Sequence, residues 1–206
     1  SGHGHLAIRD SELTFLNAHT GHGDVVGSDV RGSAAIKTDH GDVRLERVDG
    51  GVDVHTGHGD ISLEDCGGAA KLDTGHGDLS VSGGSLDSLT AKTGHGDISA
   101  ELDGSAGSID LRTGNGDINA KVEHAGALDV RTGRGDLRVA AVDVGGLLNM
   151  KTGSGDIKMI AESVGELAVH SGTGSVEAAL DSTDGRAEIT TSNGDIKLAV
   201  SDELSF

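Results

Sequence analysis

The chain has 206 residues, among them 35 glycines, two phenylalanines and no proline, tryptophan or tyrosine. Bulky aromatic side chains supply much of the buried area in an ordinary core, so this composition excludes a thick core and favours a thin one of Val, Ile, Leu and Ala. The formal net charge of −18 opposes binding to nucleic acid or to an anionic lipid surface. No apolar run approaches the roughly 20 residues of a membrane-spanning helix, so we expect no membrane insertion.

Three units are predicted in chain order. Residues 1–15, which contain the segment GHGH, form an N-terminal lead-in or cap. Residues 16–200 form a repeat domain, and residues 201–206 form a C-terminal cap. The repeat is a short phrase that returns ten times: Thr, Gly, a variable residue, Gly, Asp and a branched aliphatic residue. Its Thr position is occupied by Thr20, Thr38, Thr56, Thr74, Thr93, Thr113, Thr132, Thr152, Ser171 and Thr191, at intervals of 18 to 20 residues.

Each repeat contains two short stretches that alternate apolar and polar residues, one before the GxGD corner and one after it. In the third copy, Val52, Val54 and Thr56 share one face before the corner, and Ile61 and Leu63 share one after it. This period of two predicts half-buried strands. The second, looser corner supplies a third small inward residue in several copies: Cys66, Ala106, Ala125 and Val164.

A constant period of 18 to 20 residues is typical of a parallel β-solenoid, in which equivalent residues lie above one another about 4.8 Å apart. An antiparallel meander with GxG turns is the alternative, and it would not align identical side chains on adjacent strands. Because register must be kept on every turn, the near-constant period favours the solenoid. We therefore predict an all-β parallel β-solenoid of about ten coils.

The GxGD phrase has a structural explanation that requires no ligand. Its second Gly occurs in all ten copies, as expected where φ is positive or where backbones approach closely. The Asp can accept hydrogen bonds from corner amides, and the Thr hydroxyl can cap the corner or join a Thr ladder. Carboxylates stacked in a ladder repel one another, so their negative charge must be compensated. Backbone amides could compensate this charge, as could the mainly basic column of residues that directly precede the Thr.

The same corners also predict candidate metal ligands. The variable position holds histidine in five consecutive coils, and stacked imidazoles with neighbouring carboxylates could bind Zn²⁺. Calcium-binding nonapeptide rolls offer a second comparison, although their Gly and Asp are separated by one residue and here they are adjacent. The candidate ligands for Zn²⁺ or Ca²⁺ are His22, His40, His58, His76, His95, Asp24, Asp42, Asp60, Asp78 and Asp97.

The repeated T-G-x-G-D-[ILV] phrase resembles that of a bacterial adhesin-like β-strand repeat family of unknown function, whose members read TxxGD[ILV] at similar intervals. The resemblance covers residues 16 to about 200. It implies a right-handed parallel β-solenoid and a role at the cell surface, in the envelope or as a scaffold, and it carries over no catalytic or ligand residues. The histidine run at the variable position and the lack of proline depart from common members.

These features predict a non-enzymatic structural or interaction module, a rigid acidic rod that presents stacked polar ladders to a partner or to itself. The GxG turns precede strands instead of opening helices, so no phosphate loop or nucleophile elbow is indicated. The expected partner is a protein or a cell surface, or a second copy that associates through the solenoid ends. Binding of metal by the His and Asp ladders is the alternative function. For the compartment, the sequence leaves the bacterial envelope or surface and the cytoplasm open.

Overall fold

In a computed structural model, which describes residues 2–11 and 13–201, the chain forms one sheet of 17 β-strands without a helix in the described part. The strands are β1 (Leu6–Ser11), β2 (Phe15–His22), β3 (Val25–Val30), β4 (Ser33–His40), β5 (Val43–Val48), β6 (Val52–His58), β7 (Ile61–Glu64), β8 (Gly68–His76), β9 (Leu79–Ser82), β10 (Leu86–His95), β11 (Ile98–Asn115), β12 (Ile118–Arg134), β13 (Leu137–Ser154), β14 (Ile157–Thr173), β15 (Val176–Thr183), β16 (Ala187–Asn193) and β17 (Ile196–Val200).

The described strands pair only in parallel, and each pairs with the equivalent strand of the next coil. A coil has a first side, which leads into the GxGD corner, and a second side, which leaves it. β2, β4, β6, β8 and β10 stack on the first side, and β1, β3, β5, β7 and β9 stack on the second. The prediction of a parallel β-solenoid of about ten coils is confirmed, and the antiparallel meander is excluded.

The register places identical residues of the repeat opposite one another. Thr20 pairs with Thr38 and Thr38 with Thr56, and the file continues without a break to Thr191. A parallel ladder keeps such files because each residue faces the residue one coil further on. Every polar position of the repeat therefore becomes a vertical column on the surface, with one side chain per coil.

The core is a thin column of aliphatic side chains. Strand residues alternate between buried and exposed, for example in β6 and β11, as a strand with one face on the core requires. The inward residues are Leu, Ile, Val, Ala and two methionines, Met150 and Met159. The predicted third inward residues are confirmed as buried: Cys66, Ala106, Ala125 and Val164.

The looser corner has two forms, a turn that separates two strands and a strand that continues around the corner. In the 18-residue coils, Asp29, Arg47 and Asp65 turn the chain with positive φ angles of 57°, 51° and 52°. In four of the longer coils the strand continues around the corner, so β11 to β14 are 17 or 18 residues long. The 19-residue coil between β9 and β10 instead turns at Gly83 and Gly84, with φ angles of 67° and 73°. Register shifts, for example between Leu102 and Ser105, absorb the extra residues.

The sheet begins within the segment predicted as a lead-in. Its segment 2–6 repeats the corner, with His5 in the place of Asp, and a β-bridge joins His3 to His22. β1 then pairs with β3, so residues 3–11 form a partial coil. At the other end, β17 ends at Val200, and of the predicted cap at 201–206 all but Ser201 lies outside the described residues.

Candidate functional site: the ladders of the tight corner

The second glycine of each corner has a conformation that other residues rarely adopt. Its φ angle is positive in all ten corners, between 134° at Gly23 and 152° at Gly77. A Cβ added at Gly96 would overlap the carbonyl oxygen of Gly77 in the preceding coil. Both the torsion and the close stacking of coils therefore require glycine, as the sequence predicted.

From Thr56 onwards, the Thr or Ser hydroxyl joins each corner to the corner of the preceding coil. Thr93 Oγ1 donates to the carbonyl oxygen of Gly77 at 2.9 Å, and Thr113 Oγ1 donates to that of Gly96 at 2.9 Å. Ser171 makes the same bond to Gly155 at 3.1 Å. These hydroxyls are buried, so the bond removes an otherwise unpaired donor from the core. Of the two roles predicted for the Thr hydroxyl, corner capping is the one observed. The capped corner belongs to the preceding coil from Thr56 onwards, whereas Thr20 donates to the carbonyl oxygen of His22 in its own corner.

The Asp column is held by backbone amides. The amide of Asp97 donates to Asp78 Oδ1 at 2.8 Å, and the amide of Asp78 donates to Asp60 Oδ1 at 2.7 Å. The same bond recurs from Asp42 to Asp156, and in the ninth coil the amide of Ser175 donates to Asp156 Oδ1 at 2.7 Å. Each carboxylate thus satisfies the amide of the next coil, which offsets part of the repulsion along the column.

The two arginines of the basic column before the Thr pair with carboxylates other than those of the Asp column. Arg112 Nε donates to Asp110 Oδ1 at 2.6 Å, and Arg131 Nε donates to Asp129 Oδ1 at 2.8 Å, so these cations pair along the first side. A different column reaches the ladder, because Arg138 Nη2 lies 3.0 Å from Asp136 Oδ2. Arg138 Nη1 also lies 3.6 Å from Asp117 Oδ2.

The histidine column is a stack of nearly parallel imidazole rings. Between His22 and His95 the centroids of successive rings are 4.7 to 4.9 Å apart and their planes differ by 2° to 3°. His3 extends the stack at 4.8 Å with a tilt of 36°. The rings are exposed, and the vertical file predicted from the sequence is present.

Comparison with family models matches residues 82–206 to the family described as Toastrack DUF4097. The matched segment is more than half of the chain. The chain belongs to the Toastrack family. No curated protein and no solved structure matches it. The family match begins at Ser82, the last residue of β9, but four corners before it carry the same ladders in the same sheet.

In this Toastrack chain the predicted metal ligands form two separate columns, with His beside His and Asp beside Asp. Within residues 2–11 and 13–201, no group of three or more His, Cys, Asp or Glu side chains is placed to hold an ion together. One oxygen of each candidate Asp is also engaged by a backbone amide. A mixed His and Asp cage is therefore not preformed, and metal binding stays a prediction.

A surface cleft of about 390 Å³ lies on the second side of the last coils. Its charged residues pair with one another, since Lys197 Nζ lies 3.1 Å from Glu177 Oε1 and Lys158 Nζ lies 3.6 Å from Glu177 Oε2. Hydrogen bonding to Lys197 lowers the pKa of Glu177. This carboxylate is thus held in its charged form, which is the opposite of what a general acid at neutral pH needs.

The described residues contain no helical segment with the length and hydrophobicity that a membrane crossing requires.

Sequence reasoning missed two partners of the Asp ladder. His5 Nδ1 accepts from the amide of Asp24 at 3.2 Å, so it fills the Asp position of the partial first coil. The alignment of GHGHL with the repeat was the signal for this role. Arg138 is the second partner that was missed, and only its position two residues after the corner could have indicated that it pairs with the Asp ladder.

Proposed function

We propose that this Toastrack solenoid is a non-enzymatic structural and interaction module, a rigid acidic rod that presents ladders of polar side chains to a partner or to a second copy. The observation that carries the proposal is the unbroken parallel register from coil to coil, which turns each outward position into a column of regular pitch. Such columns bind best to a surface that repeats at the same spacing, through many weak contacts made together.

The charge distribution supports the Asp column as the presented surface. Asp42, Asp60, Asp78 and Asp97 have no ion pair with a cationic side chain in the described part of the chain. The residues two positions after three of these corners are Ser62, Ser80 and Ser99, which are uncharged. A bacterial adhesin-like or envelope scaffold role, in which the rod contacts a protein or a cell surface, fits this open acidic column.

The test compares two triple variants that change the net charge equally. D60N/D78N/D97N removes three rungs of the ladder, while the amide oxygen of Asn still accepts the hydrogen bond of the next coil. D87N/D103N/D181N removes three exposed carboxylates that lie elsewhere on the rod. Self-association is measured by sedimentation velocity over a concentration series, and partner binding by cosedimentation with bacterial envelope fragments.

We expect the wild-type chain to associate in at least one assay. D60N/D78N/D97N should bind at least tenfold more weakly, and D87N/D103N/D181N should match wild type. Equal losses in both variants would show that only net charge matters and would contradict presentation by the ladder. A strict monomer that also ignores envelope fragments would reject the proposal. Turnover of a polysaccharide substrate would reject its non-enzymatic part.

A further inference from the structure

The histidine stack is a surface feature that the proposed structural role does not need. Its five central members are His22, His40, His58, His76 and His95. Their side chains make no hydrogen bond or ion pair within residues 2–11 and 13–201 and contact one another only through ring stacking. Both nitrogens of each ring are therefore open to solvent and to a ligand.

Neutral imidazole nitrogen is a preferred ligand of borderline divalent metal ions such as Zn²⁺, which it binds at about 2.0–2.1 Å. Two nitrogens on one tetrahedral ion are therefore about 3.4 Å apart. The ring centroids of His58 and His76 are 4.9 Å apart in nearly parallel planes, so the stacked rings do not bring two nitrogens this close. Two neighbouring rings must tilt towards each other to share an ion, and because they are exposed, side-chain rotation suffices and the backbone stays in place.

The ladder itself contains an example of such a rotation. His3 lies 4.8 Å from His22, the same separation as in the parallel pairs, but its plane is turned by 36°. The stacked spacing thus accommodates a rotated ring. A ring that tilts towards one neighbour also moves away from the other, so each histidine can belong to only one pair at a time.

We propose that this ladder binds borderline divalent transition-metal ions of the Zn²⁺ type between neighbouring histidines, one ion for each pair, with water completing the coordination. The five central histidines form at most two separate pairs, and His3 with His22 allows a third. The stoichiometry is therefore two to three ions per chain. This inference goes beyond the proposed structural function, and neither depends on the other.

The test separates pairing from the mere number of histidines. H22N/H58N/H95N leaves His40 and His76 two coils apart, whereas H22N/H40N/H95N leaves His58 and His76 as neighbours 4.9 Å apart. Both variants keep two central histidines and the same residues elsewhere. Asn occupies this position naturally at Asn115 and Asn193, so we expect both variants to fold, which circular dichroism checks.

Zn²⁺ binding to the tag-free proteins is measured by isothermal titration calorimetry. The expected result is two to three ions for wild type and one ion for H22N/H40N/H95N, which keeps two neighbouring histidines. For H22N/H58N/H95N we expect an affinity at least tenfold lower. Equal binding by the two variants would overturn the proposal, because it would place the ion on other ligands. Absence of binding to the wild-type chain at 100-fold excess Zn²⁺ would overturn it as well.

Discussion

At the scale of single residues, the repeat phrase is a set of bonds between neighbouring coils. Thr donates to the glycine carbonyl of the preceding coil, and Asp accepts from the amide of the following coil. The glycine leaves room for that close stacking. Thr20 donates to His22 in its own corner instead, and the Oγ1 of Thr38 is buried without a hydrogen-bond partner among the described residues. Thr113 and Thr38, two threonines of the same column, thus differ in whether the hydroxyl forms a hydrogen bond that can stabilise the fold.

This difference gives a matched pair of substitutions. Thr113→Val removes the bond to Gly96 and should lower the free energy of unfolding by about 1–2 kcal/mol, because a part-buried carbonyl loses its donor. Thr38→Val removes an unpaired polar group and should leave stability unchanged or raise it. Thr113→Ser should cost less than Thr113→Val, since Ser171 makes the same bond. Urea midpoints measure all three, and equal losses at positions 38 and 113 would contradict this role of the hydroxyl.

At the scale of elements, the two corners of a coil follow different rules. The tight corner is identical in conformation throughout, because glycine torsion and coil stacking permit little else. The looser corner tolerates either a left-handed residue or a bulged strand, and side chains adapt to each form. In the 18-residue coils, Arg47 Nε donates to Asp29 Oδ1 at 2.6 Å, and this hydrogen bond lowers the pKa of Asp29. The same corner buries Cys66 beneath the surface.

Burial of Cys66 predicts a loss of stability in alkaline solution. Desolvation raises the pKa of this thiol, whereas the unfolded chain has the ordinary value of about 8.5. As the pH rises through that value, the unfolded chain releases a proton that the folded chain retains, so the free energy of unfolding falls. We expect the urea midpoint to fall more between pH 8 and pH 10 in wild type than in Cys66→Ala.

Alanine suits this test because Ala106 and Ala125 are third inward residues of later coils. The chain has no tyrosine, so no phenol titrates in the same range. If the urea midpoints of wild type and Cys66→Ala changed equally with pH, the alkaline loss of stability would not come from the Cys66 thiol. Native Cys66 should also resist alkylation at pH 8, since the thiolate is the reactive form.

At the scale of the whole molecule, each coil contacts mainly the coils before and after it. Stability is then close to a sum of coil and interface contributions, so whole coils should be removable where register is kept. Ala100 pairs with Ala120, and Glu101 pairs with Lys121, which defines one coil of 20 residues at this place. A deletion of that length keeps every later residue on its own face.

Two deletions at one site test this whole-molecule property. Removal of residues 101–120 joins Ala100 to Lys121 and should give a folded solenoid with one coil fewer. Removal of residues 101–119 joins two inward residues, Ala100 and Ala120, and shifts the following strand by one residue. That slip exposes the inward side chains of the strand and should strongly destabilise the protein. Far-UV circular dichroism and urea unfolding distinguish the two, and equal stability would contradict register as the organising constraint.

Much of this fold could be predicted from the sequence, because its information is periodic and local. The Thr spacing gave the coil length, and the alternation around residues such as Val52 and Val54 gave the inward faces. The second glycine indicated a special torsion. The start of the sheet was less predictable, because His5 replaces the Asp that marks the other corners.

The sequence alone determined that this chain coils in parallel and that its His and Asp residues form vertical files, because a constant period forces equivalent residues into register. Only the tertiary structure decided which groups bond across that register. Asp78 accepts from the amide of Asp97 and not from the basic column, and Thr113 bonds to Gly96 and not to another threonine. These choices depend on angles and distances between residues 17 to 20 positions apart, which the repeat brings together but does not orient.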